Sequence, residues 1–303
     1  MPEDSGNTED PRVEAGERRA TAAPAEIEAV PRRADRHRKK RGLFRRNART
    51  SSVPSDDPKE RRRLRMRRVA NIMIIAGVLG LLAIILYFVG TCAYTDRQQD
   101  RLGDEFAADN PGLAATEATV SEESFFWLRE EDEAEREARL AELWFAAEYY
   151  KGEVIRRAGQ PIGRIEIPKI GLGEEEDVFV VEGVDGPRID DLIRNGPAHW
   201  PETKMPGAGG MVVISGHRTT YGAHFRHLDE LDPGDFIELY MPYGAVRYEV
   251  TEVFIVDDDA TETVVDRGKE QISLVACHPL SSSKQRIVAQ GEMVSFYLYE
   301  TEE

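Results

Sequence analysis

The spacing of apolar and polar positions changes character three times along the chain. From Val69 to Thr95 no residue is charged, and 72–89 is nearly all Ile, Leu, Val, Ala and Gly. Roughly 20 apolar residues rising ~1.5 Å each cross the ~30 Å hydrocarbon layer of a bilayer, where an ionised group costs about 2.5–3.5 kcal/mol. The pattern predicts a transmembrane helix over 69–94. In 122–152 the marked positions Phe126, Arg129, Glu133, Arg136, Leu140, Leu143, Trp144 and Ala147 recur in steps of three and four, predicting an amphipathic acidic helix that ends at Gly152. Its stripe is too broken to say whether it packs on a domain or stands as a stalk. From Pro161 the period becomes two, the mark of half-buried strands, over 162–172, 176–184, 235–241, 245–256, 271–277 and 286–299; the continuous apolar run 211–216 reads as a strand buried on both faces. Pro233-Gly234 and Tyr243-Gly244 punctuate the series. The fold class is therefore mainly β, and seven or eight strands within 161–303 suit a closed barrel, which leaves no exposed edge.

Charge divides the chain at the apolar span. Residues 1–68 hold 20 Lys and Arg against 12 Asp and Glu and almost no periodic apolar positions, so they predict a disordered basic tail. The Arg-rich run 61–68 abuts the span, which puts the N-terminus in the cytoplasm and everything after about Tyr94 outside. This explains the charge more simply than a nucleic-acid arm at 32–46 would. A cleavable signal peptide would have a shorter apolar core, nearer the N-terminus, so the span reads as a single-pass signal anchor. Beyond it, 95–160 reads as a linker followed by the acidic helix. Residues 91–303 carry 20 basic against 44 acidic residues, which argues against nucleic acid as a partner.

The cysteines are two, Cys92 at the end of the span and Cys277, so no disulfide framework exists in an oxidising compartment. Cys277 closes the strand 271–277, Arg286 opens the next, and His217 sits just past 211–216. If the last two strands form an antiparallel pair, Cys277 and Arg286 lie at one rim, and His217 joins them if its strand exits there. A free thiol near neutral pH is only a few per cent thiolate; imidazole can move protons for it, and a fixed guanidinium can hold an oxyanion. Read singly, each of the three has a plain structural role, as small core residue, surface histidine or solvated strand end. A zinc site from His217, His224, His227, Cys277 and His278 matches no compact ligand spacing, and the acidic segment 256–263 lacks the alternating ligands of a calcium loop. No metal or cofactor is called for.

With these residues in place, three stretches resemble the sortases, membrane-anchored cysteine transpeptidases of Gram-positive bacteria, and most of all the class E enzymes of actinobacteria: IGRIEIPKIGL at 162–172, NGPAHWPETKMPGAGGMVVISGHRTTYGAHFRHLDELDPGD at 195–235, and SLVACHPLSSSKQRIV at 273–288. The resemblance covers about 140 residues. It implies an eight-stranded sortase-type barrel with Cys277 as nucleophile, His217 as proton carrier and Arg286 as oxyanion and substrate holder. It further implies an acyl transfer that cuts an LPxTG-like sorting signal, LAxTG in class E, between Thr and Gly through a thioacyl enzyme. The partners implied are surface proteins bearing that signal and an amine of a peptidoglycan precursor. Tyr221, Thr220 and Ala276 fall at positions implied to meet substrate. Departures from the family pattern are Ala276, where threonine is common, His224, where proline is usual, and Ala289-Gln290, where a histidine is usual. The pilus-polymerising sortases are the alternative, but they usually carry an Asp-Pro-aromatic lid and often a second membrane helix, neither of which the sequence displays. A catalytically silent tethered module on the same fold is disfavoured by retention of all three groups. An L,D-transpeptidase is disfavoured because its cysteine follows a His-Gly pair.

Overall fold

A computed structural model describes residues 57–113, 121–128, 132–183, 189–259 and 268–299. The chain divides into two units, Met1–Arg61 and Arg62–Glu303. Most of the predicted basic tail, up to residue 56, lies outside the described residues, as do Arg129 and the acidic loop from residue 260 onward.

Helix α1 spans Pro58–Asp109. Asp57 starts it by accepting the backbone N–H of Lys59 on its side chain (2.9 Å). The predicted 69–94 is thus the middle of a longer helix. Residues 58–68, predicted to be disordered, are helical because arginine is a good helix former and the apolar span supplies the turns on which the run propagates. Residues 95–109, predicted as linker, are also helical, and Thr95, Leu102 and Phe106 are buried against the barrel. Leu102 and Phe106 pack with Phe179, Val181, Ile193 and Ala198.

The predicted acidic helix is shorter than 122–152. Glu122–Ser124 form a 3-10 turn, and Phe126–Trp127 a strand, β1. Helix α2, Glu133–Tyr149, starts where the Asp132 side chain accepts from Ala134 N and Glu135 N, both at 3.0 Å. Helix α2 is no stalk: Leu143 and Ala147 are fully buried, and Leu143 lies against Gly207 so closely that a Cβ there would stand 2.5 Å from its side chain.

The barrel strands are β2 (Pro161–Glu166), β3 (Phe179–Glu182), β4 (Ala198–His199), β5 (Met211–Ser215), β6 (Phe236–Met241), β7 (Gly244–Asp257), β8 (Gln271–His278) and β9 (Gln285–Leu298). They close in the order β9-β7-β6-β2-β3-β4-β5-β8 and back to β9, with β3–β4 and β5–β8 parallel and the rest antiparallel. Strand β1 adds to β9 beyond the end of β8, Phe126 pairing with Phe296.

Alternation explains both faces. Val212, Ile214, Ile272, Leu274, Ala276, Ile287 and Ala289 fill the interior. Met211, Val213, Val275 and Val288, one residue out of phase, form a second cluster outside the barrel wall, covered by Trp200, Phe254 and Val256. This is why 211–216 is apolar without a break. The outer cluster underlies the candidate site.

Candidate active site

Strands β8 and β9 run antiparallel with Cys277 directly opposite Arg286. Side chains directly across a ladder share a face. Both follow the phase of Val275 and Val288, so they stand on the outer face of the barrel, at its rim, above that second cluster. Strand β5 runs parallel to β8 with Ser215 beside Val275, and Gly216 donates to the Val275 carbonyl at 3.0 Å. His217 and Cys277 are each two residues past that last pair, so they leave the sheet at the same end.

Cys277 is half-buried and free of any disulfide. Arg286 is half-buried, and its Nη1 donates to the carbonyls of Ser283 (2.8 Å) and Gln285 (3.1 Å). Two backbone acceptors on one nitrogen restrict the fork of a long side chain beside Cys277.

The loop after His217 is folded back on itself by Phe225 N donating to the His217 carbonyl at 3.1 Å. Tyr221 (φ 51°), Gly222 (φ 75°) and Ala223 (φ 47°) are left-handed in succession. Tyr221 and Ala223 carry strain there that surrounding contacts must sustain. Some of those contacts are visible. The Tyr221 ring lies 5.2 Å from that of His217 at 31° and meets Tyr94 of α1 edge-on at 6.1 Å, and the Arg194 guanidinium stands 5.6 Å from its centre.

Thr220, half-buried, precedes the turn and accepts Ala223 N on its carbonyl at 3.0 Å. Tyr221 and Thr220 therefore sit with His217. Ala276 does not join them. It is 3% exposed and belongs to the barrel interior, opposite in phase to Cys277, so its side chain cannot line a cleft on the outer face. The period of two, applied to Cys277 itself, already implied this.

His224 is largely enclosed. Burial, and after it the charge of His217, holds its imidazole down at about 4, so near neutral pH it is uncharged beside His217. Of the residues weighed as zinc ligands, no three converge among the described residues. A cavity of about 940 Å³ opens between the end of α1 and the barrel. Asp96, Asp100, Asp104, Arg164, Glu176, Asp177, Gly222 and His224 are among its lining, but neither Cys277 nor Arg286 is.

The sequence reasoning missed three parts of this neighbourhood. Trp200 donates from Nε1 to Ser215 Oγ at 2.8 Å and walls the outer cluster. Arg218, next to His217, is only 2% exposed. The Tyr94–Gln99 stretch of α1 reaches the site from the other end of the chain; Leu102 and Phe106 at a helical spacing of four were the signal for it.

The profile of the Sortase domain matches residues 165–294. The chain is 36% identical over 141 residues to Sortase D of Bacillus subtilis (strain 168), a match covering 45% of this chain and 66% of that protein. It is 29% identical over 150 residues to Sortase SrtE1 of Streptomyces coelicolor, covering 45% of this chain and 41% of that protein. The chain belongs to the sortase family. Among solved structures it is similar to Sortase E1 of Streptomyces coelicolor with a tripeptide in the active site, at 25% identity and a TM-score of 0.41 over 46% of this chain and 91% of that one. The profile match lies within the barrel, from β2 into β9. The chain covers less than two thirds of each curated relative named here, and α1 up to Gln160 precedes the sortase profile match.

Proposed function

We propose that this sortase is a membrane-anchored cysteine transpeptidase that cuts an LPxTG-like sorting signal, LAxTG by preference, between Thr and Gly and passes the acyl group to an amine of a peptidoglycan precursor. The observation that carries the reading is the ladder pairing of Cys277 with Arg286 beside the exit of the His217 strand. In the first half-reaction the Cys277 sulfur attacks the Thr carbonyl carbon, the C–N bond to glycine breaks, and His217 gives the departing amine its proton. In the second, the acceptor amine attacks the thioester, His217 takes the proton released, and Cys277 leaves as thiolate. Arg286 faces the carbonyl oxygen while it is negative. Tyr221 and Thr220 border the peptide next to His217, and Tyr221 sets the preference for Ala over Pro in the signal. Helix α1 is the anchor: the apolar side chains from Val69 to Val89 stand exposed on it, which lipid accommodates and water does not.

The test uses the full chain in detergent micelles, given LAxTG and LPxTG peptides and a small amine, with mass detection of protein and products. An acyl adduct on Cys277 and an amine-capped peptide are expected, and Cys277→Ala should lose at least about 10³-fold in rate. Retention of activity by Cys277→Ala sinks the assignment. In Tyr221→Ala the ratio of LAxTG to LPxTG turnover should fall, and an unchanged ratio takes the selecting role from that ring.

A further inference from the structure

Arg218 follows His217 in the chain, yet it is among the most buried charges in the molecule, its side chain 1% exposed. A guanidinium has five donors and no acceptor, and a buried charge persists only where those donors and the charge are met. Here they go three ways. Nε donates to the Arg226 carbonyl at 3.1 Å, Nη2 to Asp229 Oδ1 at 2.6 Å, and Nη1 to Nδ1 of His278 at 3.1 Å. Because arginine cannot accept, Nδ1 of His278 is the acceptor in this bond.

His278 follows Cys277 as Arg218 follows His217. The spacing of Cys277 from Arg286 is held by the β8–β9 ladder, which continues to His278 and Gln285. The spacing of His217 from Cys277 has no such ladder, because the β5–β8 pairing ends at Ser215 and Val275, with one further bond from Gly216. We infer that Arg218 is a positioning residue for the transpeptidation: its bond to His278, backed by Asp229 and the Arg226 carbonyl, clasps the loop carrying His217 to the strand carrying Cys277. Asp229 supports the clasp as a carboxylate. Although burial opposes it, the hydrogen bond and charge of Arg218 hold its carboxyl below the usual range. The inference rests on the reading of Cys277 and His217 as the reacting groups. Arg218 itself touches neither reacting atom and acts through the placement of His217.

The experiment compares the full chain with Arg218→Met, Arg218→Lys, His278→Ala and His278→Asn in peptide cleavage as a function of pH, with thermal unfolding of each. A misplacement of about 1 Å between reacting groups costs on the order of 10²-fold, so kcat should fall 10- to 100-fold in Arg218→Met and in His278→Ala, with KM changed less than about threefold. The limbs of the pH–rate profile should move as imidazole and thiol lose their fixed separation. Lysine keeps the charge but cannot reach three partners, so Arg218→Lys should resemble Arg218→Met. The Oδ1 of asparagine can accept where Nδ1 did, so His278→Asn should recover most of the rate and the original profile. His278 is half-exposed, so its variants remain informative if Arg218→Met does not fold. Variants with lowered melting temperature but an unchanged kcat and pH profile would make Arg218 a purely structural charge. Full activity in His278→Ala beside a crippled Arg218→Met would leave only the Asp229 arm and overturn the clasp. Cys277→Ala run alongside separates these results: if it stays active, the transpeptidase reading itself has failed, whereas if it is dead and His278→Ala is not, only the clasp has.

Discussion

His224 stands where the family pattern has proline, and the structure gives the substitution a measurable consequence. Its imidazole titrates at about 4, held down first by burial and then by the charge of His217. An unfolded chain returns it to about 6.5. Because the folded value is the lower one, the unfolded state takes up the proton first as pH falls. Stability is therefore intact above pH 6.5 and is lost progressively down to pH 4. At pH 5 the loss amounts to about 2 kcal/mol. His224→Leu should accordingly narrow the gap in melting temperature between pH 7 and pH 5 in the solubilised chain; an equal gap in both proteins would mean the imidazole is not enclosed as described. At this scale the sequence was informative about which residues meet and less so about direction. The Cys277–Arg286 pairing was legible because a short connection between two strands forces a hairpin. Ala276, which the resemblance implied to meet substrate, is turned inward by the alternation along β8. Arg218 was invisible for another reason: local pattern does not tell a buried arginine from a solvated one, and its three partners lie 8, 11 and 60 residues away.

Among elements, α1 departs furthest from its sequence reading. An apolar run marks where a helix must cross lipid but not where it ends, and within 95–109 the buried face is announced by Leu102 and Phe106 alone, four residues apart among many polar positions. Gln99 shows how the helix docks. Its side-chain amide accepts Phe179 N at 2.7 Å and donates to the carbonyls of Phe179 (3.2 Å) and Asn195 (2.8 Å), filling ladder positions beside the short strand β3. Thr95 Oγ1 donates to the Arg194 carbonyl at 3.0 Å, and Tyr94 to Asn195 Oδ1 at 3.1 Å. Strand β4, two residues long, was also unreadable, since two residues have no period. The end of α1 is thus packed as part of the barrel domain. A chain beginning at residue 110 gives up the burial of Leu102 and Phe106, about 3–6 kcal/mol together, and leaves the backbone of Phe179 without Gln99. It should unfold at clearly lower denaturant than a chain beginning at residue 91, with its Tyr221 loop the more protease-sensitive of the two. Equal midpoints would return 95–109 to the status of a linker. Helix α2, by contrast, packs beside Gly207 and Gly209, which precede β5, and so braces the end of the barrel opposite Cys277.

At the scale of the whole molecule, the continuity of α1 joins the apolar span to the Tyr221 loop. Tyr94 and Thr95 are the last residues before Asp96 ends the charge-free stretch, and they are also the residues that meet the Tyr221 loop and Arg194. In the proposed topology the Tyr221 loop therefore meets α1 within about one helical turn, ~5 Å, of the boundary of the apolar span, on the side where a membrane-held acceptor and a surface protein awaiting release would both stand. That topology depends on charge. Arg61, Arg62, Arg63, Arg65, Arg67 and Arg68 precede the span, whereas Arg97 and Arg101 follow it closely, and acidic residues weigh little in setting orientation. Replacing the six arginines by serine leaves Lys59 as the nearest basic residue on the N-terminal side and reverses the local bias. In cells stripped of their wall, external protease should cut the barrel of the natural chain throughout, whereas the serine variant should show a protected fraction and lose surface transpeptidation in proportion. A barrel that stays wholly accessible in the variant would mean the folded domain, and not the arginine run, dictates which side it occupies.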